Sequence, residues 1–211
     1  MPQNTDSYTA KSFFSRQREK RPYSSLPPAR VKKCGGSMIS EQHPLRQLFH
    51  EVVAGCYATH SGITDSELTS YVGDLLTEFT AAENLYRIHD AEGRPVKALR
   101  EMIAASDPVF GAASSFDVER EARRHIGDFA LFATGMYPES TQLWRHSGES
   151  GFVEMVRAGK ESYYIVSQFD LFEYKMEAPL FARLSEEFEE CVYGLTRVRE
   201  ELDRMGTGMI Q

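Results

Sequence analysis

From residue 44 onward, apolar side chains recur at intervals of three and four along most of the chain, the spacing of helices that bury one stripe. Leu45, Leu48, Phe49, Val52, Val53, Cys56 and Tyr57 follow Pro44, which suits a helix's first turn, and Ser61-Gly62 ends the run. A second helix carries Leu68, Tyr71, Val72, Leu75, Leu76 and Phe79, with Thr64 and Glu67 spaced as a capping box before it. After a polar break at Asp90 to Pro95, a short helix is expected from Val96 to about Ala105, stopped by Asp107-Pro108. Val109 to Ser115 reads as a loop.

The period changes along the next helix, Phe116 to Tyr137. Its first half has one apolar face, formed by Val118, Ala122, Ile126 and Phe129, with Glu119, Arg120, Arg123 and Arg124 elsewhere. From Ile126 to Met136 it is apolar nearly all round, the pattern of a helix enclosed by neighbours, so this half is expected at the domain centre. Pro138 opens a short segment with Leu143 and Trp144, and a turn is read at Gly148 to Gly151. A long aromatic helix is then expected from Phe152 to about Lys175, broken at Pro179. Phe181, Leu184, Phe188, Cys191, Leu195, Val198, Leu202 and Met205 alternate by three and four, one heptad seam that demands a partner helix in the same bundle or in a second copy. The predicted fold is all-α: a single-domain bundle of six or seven helices, with a central buried helix near 116–137 and a long heptad-patterned helix at the end.

Composition places boundaries on this picture. Residues 1–40 mix Ser, Pro, Lys and Arg without periodicity, so a disordered basic tail is expected there, a helical domain over 41–206, and a disordered end at 207–211. The tail holds eight basic and two acidic residues, a charge of +6, which against the total of -7 leaves -13 for the rest. An acidic body repels a phosphate backbone, so no nucleic-acid partner is expected for the folded part. The tail itself reads as a polybasic arm, as a Ser- and Arg-rich transit peptide, or as an extension upstream of a start at Met38. No apolar run approaches the roughly 20 residues that span a bilayer, and mean hydropathy is -0.43. Cys34, Cys56 and Cys191 are odd in number and widely spaced, which argues against a disulfide framework and, with the missing secretory core, for a cytoplasmic protein.

His125 and Asp128 are three residues apart where the helix becomes enclosed, so a polar site is possible there. A buried carboxylate needs a partner, and His125, Arg124 or a backbone donor on a neighbouring helix would serve. The pair reads either as an acid-base or metal site or as a structural hydrogen bond. Tyr71-Val72-Gly73-Asp74 echoes His125-Ile126-Gly127-Asp128, and a glycine inside each helix suggests close approach of another backbone. Trp144, Tyr163, Tyr164, Phe169 and Phe172 either line a pocket for a planar or apolar ligand or are core. There is no Glu-x-x-His tetrad, H-E-x-x-H, Walker A loop, G-x-G-x-x-G or G-x-S-x-G, so no cofactor and no metal is predicted.

The segment from His125 to Pro138, followed by Tyr163-Tyr164, resembles a group of uncharacterised bacterial helical proteins that share His-x-Gly-Asp-x-x-Leu-x-x-x-Gly-x-x-Pro. The resemblance covers about 50 residues and implies a bacterial origin but no activity. The leading expectation is a helical bundle that binds a protein partner, a second copy of itself or a small ligand between helices. Its candidate ligand-binding residues are His125, Asp128, Trp144, Tyr163 and Tyr164. The competing expectation is a metal- or cofactor-dependent enzyme with His125 and Asp128 in its site.

Overall fold

A computed structural model describes residues 30–31, 43–89, 93–107, 113, 115–144, 151–170 and 172–208. Seven α-helices account for most of them: α1 Pro44–Cys56, α2 Ser66–Phe79, α3 Leu99–Ser106, α4 Phe116–Met136, α5 Gly151–Ser167, α6 Ala178–Glu186 and α7 Phe188–Gly208. The all-α bundle predicted from periodicity is therefore the fold. No helix among the described residues is long and apolar enough to cross a membrane.

Local chemistry sets the helix ends. Pro44 opens α1, and the His43 ring caps it by accepting the Leu45 N–H at 3.2 Å. The chain then widens into a π turn, Tyr57–Ser61, closed by Gly62 at φ 73, a left-handed conformation that suits glycine. α2 is capped by Asp65, whose carboxylate accepts the N–H groups of Glu67 and Leu68, rather than by Thr64 as the capping-box spacing suggested. Ser115 caps α4 through the Val118 N–H.

α4 is central. It packs against α3, α5 and α7, while α1 lies between α2 and α7, and α6 lies on α5. Ile126, Ala130, Leu131 and Thr134 are fully enclosed, as the all-round apolar pattern predicts. The one polar side chain of these four, Thr134, donates its hydroxyl back to the Ala130 carbonyl at 2.7 Å, so its burial leaves no unmet donor.

Three helices differ from the sequence reading: α3 begins at Leu99 rather than at Val96, whose N–H instead bonds the Ile88 carbonyl at 2.8 Å. The aromatic helix expected to reach Lys175 stops at Ser167. There the backbone tightens into bonds from Gln168 to Ile165 and from Phe169 to Val166, and the Ser167 hydroxyl takes the Tyr164 carbonyl at 2.6 Å. Phe172–Met176 then forms a separate 3-10 turn. The heptad seam is continuous but its helix is not, because Glu187 leaves helical geometry between α6 and α7. Only one residue is lost from the helix, so the seam stays in phase across the break. Phe181, Leu184, Phe188, Cys191, Leu195 and Val198 are all buried within this chain. The seam thus has its partners in the same bundle, and it no longer supplies a reason to expect a second copy.

The ends also depart from expectation. Arg30–Val31, inside the segment expected to be disordered, forms a two-residue antiparallel strand β1 with β2, Ile88–His89. The rest of residues 1–42, with Cys34 and Met38, lies outside the described residues, as do most of the 109–115 loop and the 148–150 turn. α7 runs to Gly208, two residues into the stretch expected to be disordered.

Truncating a fully enclosed leucine leaves a cavity that costs about 2–5 kcal/mol. Leu195→Ala is expected to lower the urea-unfolding free energy by that amount with no change in association state. Dissociation of an oligomer at unchanged stability would instead place the seam between chains.

Candidate functional site

The centre of α4 holds one buried carboxylate, and three helices meet on it. Asp128 Oδ1 accepts the hydroxyl of Tyr71 from α2 at 2.5 Å and that of Tyr163 from α5 at 2.8 Å. Arg124, one turn earlier on α4, places Nε 3.9 Å from Oδ2 and donates to the Tyr71 oxygen at 3.2 Å. Tyr71 is therefore a relay, taking a proton contact from the guanidinium and giving one to the carboxylate. Phe181 of α6 stands edge-on to Tyr71 at 5.5 Å and tilted against Tyr163 at 5.7 Å, closing the group from the fourth side.

Burial raises the Asp128 carboxyl to about 6, against the opposing pull of Arg124 and the two hydroxyls. Both tyrosines move well above the ordinary phenol value, chiefly because their hydroxyls are shut away from water. Neither is a source of phenolate at neutral pH. The cluster is a set of donors gathered around one acceptor.

His125 takes a different direction. Its Nε2 faces the Leu85 carbonyl at 3.2 Å and must carry the proton there, since a carbonyl only accepts. Desolvation, reinforced by the charge of Arg87, drives the imidazole down to about 4, so it is neutral in the fold. Phe79 lies edge-on to it at 6.1 Å, and Nδ1 is buried without a protein partner. Spacing of three on one helix puts His125 and Asp128 close in sequence, yet each bonds to a different neighbour.

Of the five candidate residues, the structure joins Asp128 to Tyr163 and sets His125 beside them, turned to Leu85. Tyr164 points outward, 57% exposed, and takes no part. Trp144 ends a 3-10 turn, Pro138–Trp144, and its side chain lies outside the described residues. Tyr71 is the residue that pattern reading assigned to an apolar stripe alone. Arg120, placed off the apolar face by that reading, is 2% exposed, bonded to Glu121 and Glu177 and stacked 4.0 Å from the Tyr174 ring.

The two Gly-Asp fragments turn out to do the same thing. A Cβ at Gly127 would stand 2.5 Å from the Tyr163 ring, and one at Gly73 would stand 2.7 Å from the His50 ring. In each case a ring from the adjacent helix crosses the glycine and bonds the following aspartate, His50 Nε2 reaching Asp74 Oδ1 at 2.8 Å. The glycines admit side-chain rings, not another backbone as the sequence suggested. Asp74 also holds Arg46 through both oxygens, at 2.6 and 3.0 Å. These bonds outweigh its partial burial and lower its pKa.

An open space lies elsewhere, at the C-terminal end of α4 where it meets the start of α5 and the first half of α7. This cleft encloses about 480 Å3 and is lined by Thr134, Phe152, Val156, Val192, Tyr193 and Thr196, among others. Its single charged liner, Glu189, is held by Lys160 through both oxygens. None of His125, Asp128, Tyr71 or Tyr163 lines it. Among the described residues, no three His, Cys, Asp or Glu side chains converge as a metal-binding group.

Asp128 and His125 act on stability with opposite sign. The Asp128 pKa is higher in the fold than in the unfolded chain, so the fold gains stability as pH drops from about 6 to about 4. The His125 pKa is lower in the fold, so acidification from about 6.5 to about 4 favours the unfolded chain. Each shift is worth on the order of 3 kcal/mol, and the two act against each other. Asp128→Asn is expected to make stability fall with acid more steeply than in the parent, and His125→Gln to make it rise, as read by urea titration between pH 7 and about 4.5. Parallel curves for all three proteins would mean that neither group is shifted as described.

Comparison with protein-family models, curated proteins and solved structures finds no match to this chain, and the geometry alone speaks to what it does.

Proposed function

We propose that this protein binds a small, uncharged apolar molecule in the cleft between α4, α5 and α7, and that the Asp128 cluster holds the bundle in shape rather than performing chemistry. One observation carries the reading: the α4–α5–α7 cleft is open and apolar, whereas Asp128 and His125 have their contacts inside the core. A volume of about 480 Å3 falls in the usual range of small-molecule sites, about 300–1,000 Å3. Val153 and Tyr193, both near half exposed, stand at its edge, where an entering ligand would cover them. The hydroxyl of Thr134 is committed to Ala130 and that of Thr196 to Val192 and Gly135, so the walls offer little to a strongly polar guest.

The competing acid-base reading has less support. Two tyrosine hydroxyls and a guanidinium already crowd Asp128, and the imidazole of His125 is turned toward Leu85. A general base must come within hydrogen-bond reach of a substrate proton.

The neutral fluorophore N-phenyl-1-naphthylamine is the probe. Saturable one-to-one enhancement is expected, lost in Val156→Trp, which fills the cleft, and kept in Asp128→Asn. Loss of enhancement in Asp128→Asn with Val156→Trp unaffected would reverse the assignment.

A further inference from the structure

A second cleft lies on the other side of the end of α4, facing α1, α2 and α7. It encloses about 350 Å3 and shares no lining residue with the first. Four aromatic side chains line it, Phe49 from α1, Phe79 from α2, Phe132 from α4 and Tyr137 just beyond α4. Phe79 and Phe132 meet edge-to-face at 5.1 Å, and Phe132 and Tyr137 are tilted at 5.5 Å. These rings present both edges and faces to the space between them, the surroundings in which another aromatic ring packs well.

The charges of this cleft come from Arg199 and Asp203 of α7. The Arg199 guanidinium lies 5.6 Å from the Tyr137 ring, which braces it. Its Nη1 donates to Glu139 at 2.9 Å, and its Nε is 3.9 Å from Asp203. Glu139 is 59% and Asp203 76% exposed at the side chain. Exposed pairs of this kind contribute little, so another carboxylate better shielded from water can take the place of Glu139 at small cost. A guanidinium receives a carboxylate through paired N–H donors, and it is strongest where an apolar wall excludes water beside it.

We propose that this cleft binds a small aromatic monocarboxylate, with its ring among Phe49, Phe79 and Phe132 and its carboxylate on Arg199 in place of Glu139. Asp203 sits at the same mouth and turns away a second negative charge. The ring supplies apolar contact and the guanidinium supplies direction. An uncharged ring or an aliphatic acid of similar size would have one of these and not the other.

Calorimetric titration of the full chain with indole-3-acetate, indole and hexanoate tests this. Indole-3-acetate is expected to bind one-to-one and at least about tenfold more tightly than either of the others, the worth of one charge-assisted contact. Arg199→Gln is expected to weaken indole-3-acetate at least about tenfold and leave indole unchanged. Glu139→Gln, which removes the competing carboxylate, is expected to strengthen it. Val156→Trp, which blocks only the first cleft, should leave it unaltered. No saturable binding of indole-3-acetate by the parent protein, equal affinity in Arg199→Gln, or weaker binding in Glu139→Gln would each overturn the proposal.

Discussion

One carboxylate oxygen, Oδ1 of Asp128, accepts hydroxyls from two different helices, and the arrangement of α2, α4 and α5 depends on it. An unpaired carboxylate at this depth would cost several kcal/mol, and the two tyrosine hydroxyls with Arg124 offset that cost. That requirement fixes more than distance. Tyr71 and Tyr163 must bring their hydroxyls to the same oxygen, which ties the height of α2 and of α5 to one level of α4. Hydrogen bonds add a directional constraint that apolar contacts, which are non-directional, do not supply.

How much of this was legible in the sequence depended on the kind of information each feature carries. The enclosure of α4 from Ile126 to Met136 was plain, since a helix apolar on all sides has no other place to lie. Helices α1 and α2 were plain for the related reason that their stripes are regular. The end of α5 and the break at Glu187 were not, because aromatic residues continue past Ser167 and the seam spacing continues through Glu187. Periodicity records which residues face the core and is silent about a single residue leaving the helix in phase.

The candidate site divided along similar lines. Asp128 is legible as a buried charge needing a partner, and Arg124, four residues before it on the same helix, is one within reach. Tyr71 was not, because a tyrosine on an apolar stripe looks the same whether its hydroxyl meets water or a carboxylate. Arg120 was hidden for the opposite reason, since its buried charge is met by Glu177, 57 residues away, a pairing that no local spacing reveals. The clefts were invisible altogether. They are gaps between helices, and a gap is defined by how neighbours fail to meet, which no single stripe encodes.

The ring that crosses Gly127 has a consequence for how this chain can vary. Enlarging position 127 drives a side chain into the Tyr163 ring, and shrinking position 163 removes a hydroxyl that Asp128 needs. Neither position can be altered alone without loss, and altering both together does not restore the missing donor. The two behave as one heritable unit spread over two helices. A side chain larger than glycine at 127 is compatible with this fold only if the residue at 163 is smaller than tyrosine.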